Sequence, residues 1–199
     1  MTGPTIPTTI AVFVDRDGTL NEDHGYVTSP EQLVVFPAVP QALARLNRVG
    51  VRVILLTNQS AIGRGFMTVG DFQRIHQKLE DLLSAKDGKL DAVYYCPHHP
   101  DEGCDCRKPN IAMIQKAARD FSLDLSLCYV VGDKSTDLEA AHRAGTQGVL
   151  VMSSEYSAAA VRACEIGQFP IAHVAESFVQ AVDWIEQDLL QRNYHVTRG

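Results

Sequence analysis

The sequence predicts an α/β fold: one domain built on a mostly parallel sheet. Three observations carry this expectation. Short β-branched runs alternate with helix-period segments along the whole chain, with no repeat and no low-complexity linker between them. The runs are nearly continuously apolar, as strands covered on both faces are. A length of 199 residues holds one full hydrophobic core and falls short of two ordinary domains.

Taken in chain order, strands are expected at 10–14, 51–56, 92–95, 128–131 and 148–152, with a weaker one at 171–174. A first helix follows from the stripe Val39, Ala42, Leu43, Leu46 and Val49, with Gly50 placed as a C-terminal cap. In the second, Thr68 and Asp71 form a capping pair ahead of Phe72, Ile75, Leu79, Leu82 and Leu83. Two more stripes run through Ile111, Ile114, Ala118 and Phe121, and through Phe178, Val179, Val182, Ile185 and Leu189. At this spacing the large apolar residues are core. The expected architecture is a Rossmann-like three-layer domain over 10–190, with an N-terminal extension at 1–9 and a C-terminal tail at 191–199.

Composition removes several classes of function. Hydrophobic residues at 45% and charged residues at 21%, with 14 Gly and 9 Pro, exclude disordered, collagen-like and coiled-coil chains. Eighteen basic against 24 acidic residues give a net charge of −6, and the cations are scattered, so no nucleic acid partner is expected. No basic residue precedes the first apolar run, which is too short for a signal peptide core or a membrane span; no membrane partner and a cytoplasmic location are expected.

In an open parallel sheet, ligands bind outside the carboxyl ends of the strands, and the unusual residues fall there. Asp15-Arg16-Asp17-Gly18-Thr19 follows the first strand. Two carboxylates two positions apart conflict unless a cation resolves them, and hard oxygen ligands suit Mg²⁺. Thr57-Asn58-Gln59-Ser60 ends the second strand, where such residues are usually turn formers. Arg107-Lys108-Pro109 precedes a helix, and Gly132-Asp133-Lys134-Ser135-Thr136-Asp137 follows the fourth strand.

Five cysteines are odd in number and clustered, which fits a reducing compartment and a metal site better than a disulfide framework. Cys96, Cys104 and Cys106, with His98 or His99, offer three thiolates and an imidazole within eleven positions, enough for a closed tetrahedral zinc site. With four protein ligands such a site leaves catalysis elsewhere and orders the loop that precedes Arg107 and Lys108. Cys128 and Cys164 are read as packing residues.

These motifs, in this order over 10–151, resemble the haloacid dehalogenase superfamily of phosphatases. The resemblance implies that Asp15 is the nucleophile and Asp17 the general acid and base. It implies that Asp15, the Asp17 main-chain carbonyl and Asp133 hold Mg²⁺, and that Thr57 and Lys108 bind the transferring phosphoryl group. Asp137 is expected to fix neighbouring groups. Only about forty and fifty residues separate successive motifs, so no separate cap domain is expected and the site stays open.

Within the superfamily the chain looks most like the D-glycero-D-manno-heptose 1,7-bisphosphate 7-phosphatases. The stretches concerned are Asp-Arg-Asp-Gly-Thr-Leu-Asn, Asp23-His24-Gly25-Tyr26, Thr57-Asn58-Gln59-Ser60, Cys-Asp-Cys-Arg-Lys-Pro and Gly-Asp-Lys. This resemblance implies substrate contacts from Asp23, His24, Gly25, Tyr26, Thr57, Asn58, Gln59, Ser60, Arg107, Lys108 and Lys134, and points to His98 as the zinc imidazole. The implied partner is a small sugar bisphosphate of lipopolysaccharide core biosynthesis, acted on by a monomer. A second phosphate accounts for Arg107 beside Lys108. The related histidinol-phosphate phosphatases share the short zinc loop, and a zinc-stabilised sugar-phosphate-binding module without turnover is the reading from another class.

Overall fold

A computed structural model of the chain describes residues 10–192. The expected extension at 1–9 and the tail from 193 lie outside the described residues. Six strands form one sheet: β1 (Ala11–Val14), β2 (Arg52–Asn58), β3 (Ala92–Cys96), β4 (Tyr129–Gly132), β5 (Gln147–Val151) and β6 (His173–Ala175). Their order is β3-β2-β1-β4-β5-β6 and every pairing is parallel, so the sheet is wholly rather than mostly parallel among the described residues.

Seven helices connect the strands: α1 (Val39–Arg48), α2 (Ser60–Gly63), α3 (Val69–Ser84), α4 (Ala112–Phe121), α5 (Ser135–Ala144), α6 (Ser157–Glu165) and α7 (Phe178–Gln191). The four expected stripes became α1, α3, α4 and α7. The capping pair of α3 is reciprocal, Thr68 Oγ1 accepting from the Asp71 N–H and Asp71 Oδ2 accepting from the Thr68 N–H. Gly50 closes α1 by donating to the Asn47 carbonyl. No apolar stripe in the sequence marks the single turn α2 or the helices α5 and α6. The helix α7 runs to Gln191, one residue past the expected domain end.

Residue alternation splits the core between the two faces of the sheet. Val12, Val14, Val53, Leu55, Val131 and Val149 join α1, α3 and α7 on one side. Ala11, Phe13, Ile54, Leu56 and Val130 join α4 and α5 on the other, and Leu150 packs with Leu138, Ala160 and Phe169 beneath α6. This is the expected three-layer arrangement. Each fully buried side chain of this size contributes about 1.5–3 kcal/mol. Tyr129 ties α7 to the sheet by donating its hydroxyl to Asp188 Oδ2 (2.6 Å).

Between β1 and α1 the chain forms only one short 3-10 turn, Pro30–Gln32, so no cap domain is inserted there. Cys128 lies just before β4 rather than inside it. It is fully buried, donates to the Asp124 carbonyl and accepts from the Ala11 N–H, as a packing residue can.

Strand order decides where the site falls. From β1 the chain steps to β2 on one side, and β4 pairs on the other, so a crevice opens beyond the carboxyl ends of β1 and β4. One wall depends on a close backbone approach: a Cβ on Gly63 would lie 2.4 Å from His99 N and 2.8 Å from the His98 carbonyl carbon. Gly63→Ala is therefore expected to destabilise the protein by about 1–3 kcal/mol through overpacking. Urea unfolding should show a lower midpoint at an unchanged slope.

Candidate active site

Asp15 leaves β1 with its N–H bonded to the Val131 carbonyl of β4, which sets the two strand ends side by side. Asp133 leaves β4, Thr57 ends β2, and Lys108 enters from the loop ahead of α4. Gly18 lets them converge: it adopts φ +85°, and a Cβ there would lie 2.3 Å from Asp133 Oδ2.

Lys108 is buried at the centre. Its ammonium group reaches Asp15 Oδ1 at 2.9 Å and Asp137 Oδ1 at 2.6 Å, and donates to the Leu56 carbonyl at 2.7 Å. Burial disfavours its charge, but the charges of Asp137 and Asp15 outweigh that and hold its pKa above the ordinary lysine value. Asn58 fixes the lysine backbone with two bonds, accepting from the Lys108 N–H and donating to its carbonyl. Asp137 thus contacts Lys108 directly.

Asp17 sits in a cradle. Arg16 donates to both its oxygens (3.0 and 2.8 Å), Asn21 to Oδ1 and Gln59 to Oδ2 (3.0 Å each). Burial pushes its carboxyl up, yet the Arg16 charge and these bonds prevail and hold it below the usual range. Arg16 and Asn21 were not singled out in the sequence, although a cation between two aspartates is itself a signal of local charge pairing.

Lys134 donates to Asp23 Oδ2 (2.8 Å) and to the Asp17 carbonyl (3.3 Å). Asp133 Oδ1 accepts a long bond from Thr19, and Oδ2 accepts from Ser154 at 2.5 Å. Burial and the neighbouring Asp15 charge push its carboxyl up to about 7.

Charge does not balance here. Asp15, Asp17, Asp23, Asp133 and Asp137 face the buried or half-buried cations Arg16, Arg107, Lys108 and Lys134, five carboxylates against four cations. Oxygens of Asp15, Asp133 and Asp137 lie within 4.8 Å of one another, and Asp137 Oδ1 is buried without an aligned donor. These residues fit one divalent cation with hard-ligand preference.

The crevice is a cavity of about 780 Å³ lined by Asp15, Asp17, Asp23, Gly25, Tyr26, Thr57, Asn58, Gln59, Ser60, Arg107, Lys108 and Lys134 among others. All expected substrate-contact residues except His24 line it. His24 turns outward, its side chain 63% exposed, and pairs with Glu22. Gln59 lines the wall but spends its amide on Asp17 and on Thr57 Oγ1 (2.7 Å). The Nη1 atom of Arg107 is buried without a hydrogen-bond partner.

Beside the cavity, Cys96, His98, Cys104 and Cys106 bring their ligand atoms together. Neighbouring separations are 3.5 Å (Cys96–Cys104), 3.6 Å (Cys104–Cys106), 3.2 Å (Cys106–His98 Nδ1) and 3.6 Å (His98 Nδ1–Cys96). A zinc tetrahedron with bonds of about 2.0–2.3 Å has edges of about 3.5–3.8 Å, and the sulfurs are too far apart for disulfides. His99 points elsewhere, its Nδ1 accepting from the Asp101 N–H at 3.2 Å. Of the two histidines, His98 is the one whose ring joins the three cysteines.

A parallel sheet with a carboxylate pair after β1 and a buried lysine against it defines a hydrolase of the HAD-like class. A family model described as HAD-hydrolase-like matches residues 105–181, the part that carries Arg107, Lys108 and Asp133. Relatives that cover two thirds of the chain or more narrow the class. A D-glycero-beta-D-manno-heptose-1,7-bisphosphate 7-phosphatase of Haemophilus ducreyi is 43% identical over 144 residues, 69% of this chain and 79% of that one. A D-glycero-D-manno-heptose-1,7-bisphosphate 7-phosphatase of Thermosynechococcus vestitus is 38% identical over 193 residues, 92% of this chain and 98% of that one. The crystal structure of D,D-heptose 1,7-bisphosphate phosphatase from B. bronchiseptica, complexed with magnesium and phosphate, aligns with a TM-score of 0.82 at 34% identity, covering 90% of this chain and 99% of that one. The chain belongs to the D-glycero-D-manno-heptose-1,7-bisphosphate 7-phosphatase family.

The raised carboxyl of Asp133 has a measurable sign. Its folded pKa of about 7 stands above the ordinary 3.8, so its contribution to the stability of metal-free protein is present at low pH and lost as pH rises toward 7. Mg²⁺ competes with that proton. The rise in melting temperature with saturating Mg²⁺ is expected to be larger at about pH 8 than at about pH 6. Asp133→Asn should remove most of this Mg²⁺-dependent rise at both.

Proposed function

We propose that the protein removes the 7-phosphate of D-glycero-D-manno-heptose 1,7-bisphosphate through an aspartyl phosphate on Asp15, in the synthesis of nucleotide-activated heptose for the lipopolysaccharide core. The observation that carries this reading is the Asp15–Lys108 contact, 2.9 Å and buried, in a cavity that Arg107 also lines. One cation serves the reacting phosphate and the other is free for a second anion. Identity of 38% across 98% of a relative named for this activity supports it further.

In the first displacement an Asp15 oxygen bonds to phosphorus while the bond from phosphorus to the sugar oxygen breaks. Asp17 gives the departing oxygen a proton, so the sugar leaves as an alcohol. The cradle of Arg16, Asn21 and Gln59 donates to both Asp17 oxygens and keeps the carboxyl ionised, so it must turn from the cradle and take up a proton from solvent before it donates. In the second displacement water attacks phosphorus, Asp17 takes its proton, and inorganic phosphate leaves with Asp15 restored. Lys108 and the Thr57 hydroxyl face the charge that develops on the phosphoryl oxygens. Asp15, Asp133 and the Asp17 carbonyl would hold Mg²⁺, which when bound offsets the repulsion between the Asp15 carboxylate and the phosphate.

Zinc in the Cys96, His98, Cys104 and Cys106 site would order the loop that ends at Lys108. Burial pushes the Cys96 thiol up to about 12, so a bound cation is what would keep it ionised. Cysteines free of disulfides suit a cytoplasmic location. Among the described residues no helix is long and apolar enough to cross a membrane.

Two measurements test the reading. Phosphate release with Mg²⁺ present should be fastest with one anomer of heptose 1,7-bisphosphate and should fall at least about 10³-fold in Asp15→Asn. A preference of about a hundredfold for histidinol phosphate would overturn the substrate, and binding without phosphate release would overturn the enzyme. Elemental analysis should find one zinc per chain. Cys106→Ser should lose it and lower kcat/KM by about 10–100-fold as the loop bearing Lys108 loosens.

A further inference from the structure

One wall of the cavity comes from outside the motifs. The segment between β5 and α6 brings three side chains to the site. Ser153 donates to the Gly18 carbonyl, and Ser154 donates to Asp133 Oδ2. Tyr156 lines the cavity, with Lys134 Nζ 5.0 Å from its ring centroid.

Local structure gives no reason for a tyrosine here. Tyr156 holds the N-cap position of α6, where Ser, Thr, Asp and Asn are favoured, and its side chain makes no cap bond. The turn is secured by its neighbours instead, as Ser154 Oγ accepts from the Tyr156 N–H and Ser157 donates to the Val151 carbonyl. Nor does the ring serve the core, since Tyr156 is 45% exposed. Ala159 on the next turn also lines the cavity, and its small side chain leaves room beside the ring. An aromatic ring held by a cation and left open to a cavity is a preorganised surface for the apolar face of a ligand.

We propose that Tyr156 is a specificity-determining residue whose ring packs against the sugar ring of the substrate while the reacting phosphate lies at Asp15 and Lys108. The inference rests on the sugar bisphosphate reading above and deepens it. The C–H bonds on one face of a six-membered sugar ring offer the flat apolar surface that such a side chain takes, while the hydroxyls remain free for Asp23 and Lys134. A phosphate ester with no ring beyond its first few atoms does not reach this wall.

The test compares wild type, Tyr156→Phe and Tyr156→Ala on heptose 1,7-bisphosphate and on acetyl phosphate, both with Mg²⁺. Tyr156→Ala is expected to raise KM for the heptose substrate about tenfold with kcat changed less than about threefold. Acetyl phosphate kinetics should shift by less than about twofold, and Tyr156→Phe should restore the heptose KM. An unchanged heptose KM in Tyr156→Ala, or an equal loss on both substrates, overturns the proposal; the second result would make the ring a prop for Lys134. A wild type that handles heptose bisphosphate no better than acetyl phosphate overturns the substrate reading itself, and this proposal with it.

Discussion

Lys108 lies between Asp15 and Asp137, and the rest of the site is arranged around that buried contact. Bringing two carboxylates and an ammonium group out of water is costly, and their attraction offsets the cost only when the geometry is held. The sheet supplies it. Because β1 and β4 are neighbours, Asp15 and Asp133 leave adjacent strand ends, and Lys108 is the one buried cation between the nucleophile and α5. The residual negative charge makes the pocket a cation site before it is a substrate site. A chain with net charge −6 can thus act on an anionic substrate, because attraction is local.

The lysine is held from behind by a chain of contacts that begins in the loop after β3. Gly63 seats α2 against the backbone of His98 and His99. The Cys-His cluster gathers residues 96 to 106 into a knot, and Asn58 grips the next residue but one with a two-bond bridge. A loop staple and a strand-end amide thus place Lys108 without a cap domain, and the mouth of the cavity stays open.

The fold was largely readable in the sequence because parallel strands and amphipathic helices leave different periods, and six strands and four helices emerged near their expected positions. What escaped were elements whose reason is tertiary. The turn α2 is four residues long and exists because Gly63 fits under another loop. The helices α5 and α6 are short and rich in alanine, so no strong stripe marks them. At the site, Asp15, Thr57, Lys108 and Asp133 could be named because motif spacing fixes them. Side-chain direction could not: Asn58 and Gln59 turn partly inward to serve Lys108 and Asp17, and His24 turns to solvent with Glu22. Arg16 and Tyr156 were missed for opposite reasons, one hidden between the two aspartates it serves, the other lying outside every motif.

Strand order also dictates when the site can exist. The first strand lies in the middle of the sheet, and its neighbour β4 is drawn from more than a hundred residues later in the chain. A nascent chain with Asp15, Thr57 and Lys108 already outside the ribosome still lacks Asp133 and Asp137, so the carboxylate cluster is incomplete until the second half has been made. The Cys-His knot has no such delay. Its four potential ligands span eleven residues and can come together while β4 is still being translated, whereas the late-arriving half docks on the open edge of β1.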